Sequence, residues 1–287
     1  MVLDPQLVWN GLVVGSIIAV SALGLTLIFG ILNFINIAYG DYMAAGAYVA
    51  WAVNAQVGLP IGVAIVAGIL FMSVGSVVLD KLVFQHFRTR SPITLLIVSI
   101  GVAFFIRNLL RAIWGPSGHF YDLPLEASPS FVGVRFSIEQ VAIMVTSLLL
   151  LLGVYVMLRR TRVGIAMRAA SDDRMLSRIR GVDTEKLVLY VWLIGGGIAG
   201  LGGIMLGLDA QIRPNMGFTA LIAIFAAVIL GGIGDPKGAV AGGYTIGLAH
   251  EVSVAVIPSE YKFGVGLVAL IVGLLTRPDG LFGEATR

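Results

Sequence analysis

The chain has 287 residues, of which 58% are hydrophobic and 12% charged, with 19 basic and 16 acidic side chains for a net charge of +3. A soluble domain carries about 25% charged residues, so this composition cannot cover an exterior for water, and the bilayer is the solvent for most of the chain. The basic excess falls between apolar runs, where it sets orientation, so a nucleic-acid partner is excluded; the absence of cysteine excludes disulfides and thiolate metal sites.

The opening Met1-Val2-Leu3-Asp4-Pro5 lacks the basic stretch of a cleaved signal peptide, so the first apolar run is read as a retained span. Apolar runs occupy 7–31, 37–56, 60–80, 92–112, 138–158, 187–208, 218–233, 239–257 and 263–276. With 37 glycines spread through them, they describe an all-α, polytopic bundle packed by its backbones rather than a barrel of alternating strands. Asn33-Phe34-Ile35-Asn36 is too brief for a comfortable external loop, which makes an unwound stretch at membrane depth the alternative and turns nine spans into eight.

Longer polar breaks run from Asp80 to Ser91, Trp114 to Ser137, and Arg159 to Lys186, the last holding eight Lys or Arg. With that loop in the cytoplasm, nine spans put the N-terminus outside and the C-terminus inside. Of the 19 basic residues, 14 are then cytoplasmic (three in 80–91, eight in 159–186, Lys237 and two in the tail), and five lie outside. Apolar residues at 165, 169, 175, 176 and 179 follow helical spacing in part, with Gly164 and Gly181 as limits, so the loop reads as one or two short surface helices.

Ionisable residues in or at the end of apolar runs are costly and mark candidate sites: Asp41, the pair His250-Glu251, and Asp209, which ends a span where a headgroup zone suits it. The pair suits either a hydrogen bond between helices or the proton relay of an ion-gradient-driven secondary transporter. An echo between Gly40-Asp41 followed by Ala45-Gly46-Ala47-Tyr48, and Gly234-Asp235 followed by Ala241-Gly242-Gly243-Tyr244, suggests a two-half repeat. No phosphate loop, metal-ligand cluster or nucleophile–base arrangement stands at recognisable spacing, so neither ATP hydrolysis nor another enzymatic activity is expected.

Four segments carry a family resemblance. They are Asn36 to Tyr48, with Tyr39 where His is usual and Asp41 where Glu is usual; Gly164, Arg168, Ala169, Gly181 and Val182 in the basic loop; Phe225 to Gly234 followed by Gly238 to Gly243; and the tail Arg277 to Gly283. Together they resemble the permease subunits of branched-chain amino acid ABC transporters. The resemblance implies one transmembrane permease domain over 1–287 with a cytoplasmic coupling loop at 159–186 and no cofactor. It further implies an inner-membrane location, two cytoplasmic ATPase subunits, a second permease subunit, identical or homologous, and an external solute-binding protein. The solute is then a small polar molecule: a branched-chain amino acid, another amino acid, urea or an amide. The expected ATPase-coupling residues are Gly164, Arg168, Ala169, Ser171 and Gly181, and the expected translocation path includes Asn33, Asn36, Tyr39 and Asp41.

Overall fold

The computed structural model describes residues 4–124, 130–131, 134–258, 261–276 and 280–282. Each of the nine apolar runs falls on a helix, in the order α1 (Pro5–Leu32), α2 (Tyr39–Trp51), α3 (Ile61–Phe87), α4 (Pro92–Trp114), α5 (Ile138–Arg160), α6 (Arg162–Asp172), α7 (Arg174–Ile179), α8 (Thr184–Asp209), α9 (Met216–Gly231), α10 (Pro236–Ser253) and α11 (Lys262–Thr276). Helices α6 and α7 are the two surface helices of the basic loop. Five helices, α1, α3, α4, α5 and α8, are long and apolar enough to cross a membrane; α9 and α11 are shorter. A hairpin of two-residue strands, β1 (Ser130–Phe131) and β2 (Val134–Arg135), is the sheet among the described residues.

Two helices form the centre because their small residues let others approach. Helix α1 has 28 residues, about 42 Å at 1.5 Å per residue, and most of its length is buried. It runs antiparallel to α10, with Gly11 against Leu248, Gly15 against Tyr244 and Ala19 against Gly243. Its other side meets α8, where Gly24 abuts Ile198 and Gly195 abuts Ile28. Without water to drive association, such contacts gain from dispersion between closely approaching backbones. The outer helices turn apolar side chains outward instead: Val66, Leu70 and Val74 on α3, Ile97 and Phe105 on α4, Leu148, Leu149 and Leu152 on α5. These would be errors in water and are ordinary against lipid.

The loops sort to two ends. At one, Arg88 joins Asp80 to Glu185, Gly30 lies against Ser171 and Gly234, and Leu281 and Phe282 donate backbone hydrogen bonds to Leu230 and Gly231. At the other, Trp9 donates to Gln140 at 2.8 Å, His119 exchanges backbone bonds with Ile212, and Asn54 accepts from the Asp122 backbone. The first end collects 80–91, 159–186 and Lys237, the segments richest in basic charge.

The echo between the halves takes a different form from that read in the sequence. Helices α2 and α10 each press small residues on a central helix, Gly46 on Gly200 and Gly243 on Ala19. The helix starts that meet, however, are those of α2 and α9: a Cβ on Gly40 or Gly217 would collide with the backbone of the other.

Candidate functional site

The first candidate region is the break between α1 and α2. Asn33 ends α1 in the left-handed conformation (φ 53°, ψ 40°), and its N–H donates to Phe29 at 2.8 Å. Asparagine tolerates that conformation better than other residues with a Cβ. Phe34 then seats against Phe84 and Trp192, whose rings stack 5.1 Å apart. The Ile37 N–H donates to Ser99 Oγ at 3.1 Å, and Asn36 Oδ1 accepts from Ala38 N–H at 3.1 Å. Ser99 lies about 10 Å along α4 from its start at Pro92, at 1.5 Å per residue. The non-helical stretch therefore lies beside α4 before α2 begins, and the N–H groups of Asn33, Ile37, Ala38 and Tyr39 find partners in protein.

Asp41 sits in the first turn of α2, fully buried. Its two oxygens accept from Arg107 Nε and Nη2 at 2.9 Å each, a bidentate pair, while the guanidinium rests 4.4 Å from the Phe218 ring centroid. Asp41 is thus held by its own chain rather than snorkelling to an interface. Asn36 and Tyr39 are also wholly buried, the Tyr39 hydroxyl lying against Gly24, whereas Asn33 is exposed. The break brings these four expected path residues together as one local unit. Three of them stand inside the subunit in this conformation, behind a face where Asn108, Arg111, Phe218 and Thr219 are exposed. Arg107 and Arg111 escaped the sequence reading although both stand inside or at the end of an apolar run; an arginine about 22 Å into a helix was the available signal.

The second region is the basic hairpin. Side chains of Thr161, Asp173 and Asp183 accept from the N–H groups of Gly164, Leu176 and Lys186 and so start α6, α7 and α8. Gly164 is explained by its own chain: a Cβ there would strike the backbone at Met157 and Leu158, so glycine permits the tight fold of α6 on the end of α5. Gly181 has φ +87° and closes α7, its N–H donating to Arg178 while Val182 donates to Ser177. Arg168, Ala169 and Ser171 are exposed, Ser171 lying beside Gly30 at the end of α1. Ile165, Met175, Leu176 and Ile179 are exposed as well, at 52, 77, 49 and 75%. The hairpin presents an apolar patch amid positive charge.

Of the remaining ionisable candidates, Glu251 and His250 are structurally engaged. Glu251 pairs with Lys262 at 3.0 Å, and His250 is buried against Gly266. Asp209 ends α8, exposed, and shares with His250 the lining of a cavity of about 80 Å³. Among the described residues no group of three His, Asp or Glu could hold a metal. The second-half motif forms the α9–α10 hairpin, where Gly231 and Gly238 meet backbone to backbone. Of the tail motif, Arg277 to Asp279 and Gly283 lie outside the described residues.

The family profile described as the permease component of the branched-chain amino acid transport system matches residues 7–275. The high-affinity branched-chain amino acid transport system permease protein LivH of Escherichia coli (strain K12) is 30% identical, with 97% of this chain and 95% of that protein covered. The corresponding BraD of Pseudomonas aeruginosa is 31% identical over 96% and 94%. A probable branched-chain amino acid transport permease protein LivH of Methanocaldococcus jannaschii is 30% identical over 99% and 92%. Among solved structures, PsaBC from Streptococcus pneumoniae in complex with Fab shares the fold, with a TM-score of 0.53 at 12% identity and coverage of 95% and 92%. With a family profile matched over 7–275 and relatives at 30–31% identity over nearly their whole length, the chain belongs to the family of branched-chain amino acid transport system permease components.

Proposed function

We propose that this chain is one of two permease subunits in an ABC importer that moves branched-chain amino acids, or related small amides and urea, across the inner membrane. An external binding protein delivers the solute, and two cytoplasmic ATPase subunits drive the cycle. The basic end faces the cytoplasm, with the N-terminus outside, a reading supported by the 14 of 19 basic residues that this orientation puts on the inner side. The observation that carries the reading is the α6–α7 hairpin: an apolar patch of Ile165, Met175, Leu176 and Ile179, rimmed by Arg168, Arg178 and Arg180, placed where α1 and the α9–α10 turn converge. A groove on an ATPase with an acidic rim fits that patch, Arg168 anchors it, and Ala169 allows close approach. Gly164 and Gly181 shape the hairpin. Coupling follows if the contact differs between ATPase states, because motion of α6 passes through Ser171 to α1.

The solute route runs along the face of α4 and α9 that carries Asn108, Arg111 and Thr219, which meets the second permease. Polar side chains at this depth belong against protein or a water-filled path. Asn33, Asn36, Tyr39 and Asp41 set the position of that face, Asp41 through Arg107.

Single cysteines test the orientation and the docking together, since the native chain has none. Ser117→Cys should react with an impermeant thiol reagent in intact cells, and Met175→Cys only after permeabilisation, with protection when the ATPase is bound. The reverse sidedness, or no protection at Met175→Cys, overturns the reading.

A further inference from the structure

A further cavity borders the basic hairpin on the side of α5 and α10. It is a cleft of about 480 Å³ between α1, α5, α6 and α10 at the basic end, within the range of about 300–1,000 Å³ usual for ligand sites. Leu23, Leu151, Val154, Tyr155, Leu158 and Val240 form its wall. Arg159, Arg168 and Lys237 line its mouth with a single carboxylate, Asp235, which is already engaged as the cap of α10 through the Lys237 N–H at 3.1 Å. The Arg159 guanidinium is held over the Tyr155 ring, 4.8 Å from its centroid. A smaller cavity of about 60 Å³ continues past Arg168 and Leu158 to Thr26, whose buried hydroxyl makes no hydrogen bond among the described residues.

We infer that this cleft binds an anionic glycerophospholipid, with its phosphodiester between Arg159, Arg168 and Lys237 and an acyl chain along the apolar wall. Three cations against one engaged carboxylate select a negative headgroup. The wall beneath them has nothing to offer a soluble anion but much to offer a hydrocarbon chain. The cleft borders the face of α5 on which Leu148, Leu149 and Leu152 are exposed, so a lipid can enter from the bilayer without crossing water. Thr26 supplies a hydroxyl donor to an ester or glycerol oxygen. A partner helix would demand apolar surface at the mouth, where the charges stand. Because Arg168 lies both in this mouth and on the hairpin, an occupied cleft also fixes α6 relative to α5.

The test uses the purified full-length chain in detergent, titrated with phosphatidylglycerol, phosphatidylcholine or inorganic phosphate and read by native mass spectrometry. One phosphatidylglycerol should bind with preference over phosphatidylcholine. Each basic side chain near an anionic headgroup is worth about fivefold in affinity, so Arg159→Gln with Lys237→Gln should weaken phosphatidylglycerol about 25-fold and phosphatidylcholine little. Val240→Trp, which fills the cleft and leaves the cations, should also lose the lipid. Equal binding of the two lipids, unchanged phosphatidylglycerol binding in the double variant, or displacement by millimolar inorganic phosphate would overturn the inference. If Val240→Trp fails to fold, the double variant, which alters the rim of the cleft alone, still decides.

Discussion

Replacing Asp41 by leucine removes a wholly buried carboxylate that takes two hydrogen bonds of 2.9 Å from Arg107. The guanidinium is then stranded, with its side chain 11% exposed. Breaking a buried pair from one side costs about 3–5 kcal/mol, and an unpaired arginine near the centre of a membrane helix costs about 2.5–3.5 kcal/mol on insertion scales. The contact with Phe218 is present in both chains and cancels in the difference, so Asp41→Leu should lose about 3–5 kcal/mol. Arg107→Leu strands the carboxylate and should be no milder. The double variant leaves no charge behind and should recover to within about 1–2 kcal/mol of the native chain. Equilibrium denaturation in mixed micelles, run as a double-mutant cycle, measures this directly. Uptake should be lost in all three variants, because the pair sets the position of α4 as well as its stability. Additive losses, with the double variant the least stable, would refute the pairing. Native uptake in the double variant would refute its positioning role.

Ala169→Phe places a ring on an exposed surface, so stability should change by no more than about 0.5 kcal/mol while co-purification of the ATPase and uptake fall; Arg168→Glu should do the same, read by retention of the ATPase on a tagged permease. Gly217→Leu drives a side chain into the Gly40 backbone where α2 and α9 meet, and overpacking of this kind should cost about 1–3 kcal/mol or more, visible as loss of a monodisperse peak in gel filtration. Asp183 has its carboxyl held below the usual range, first by the Lys186 backbone N–H and then by the Lys186 side chain. A depressed folded-state value means stability present above the unfolded carboxylate range and lost as pH falls through the folded value. The melting advantage of the native chain over Asp183→Asn should therefore shrink on acidification and vanish well below pH 4.

The helices were legible because lipid imposes a simple demand. Every backbone group of a span must be satisfied within it while its side chains stay apolar, so the nine apolar runs and the nine corresponding helices coincide closely. The basic loop was readable as short helices from the partial helical spacing of its apolar residues; Gly181 closes α7 as expected, whereas Gly164 lies inside α6, and the caps Thr161, Asp173 and Asp183 set the helix starts. The partner of Asp41 was not readable: it lies 66 residues away, and only packing decides which helix faces α2. The π-helical turns at Ala52–Gln56 and Asp80–Phe84 likewise carry no composition signal. That Asn33 ends α1 in the left-handed conformation depends on backbone angles that the sequence does not print.

The most direct measurement is uptake by proteoliposomes that hold the chain with its second permease and ATPase subunits, with binding protein and labelled branched-chain amino acid outside. Uptake should require internal ATP, should stop when the ATPase is omitted, and should be indifferent to an imposed proton or sodium gradient. Accumulation by the chain alone, driven by such a gradient, would contradict the account.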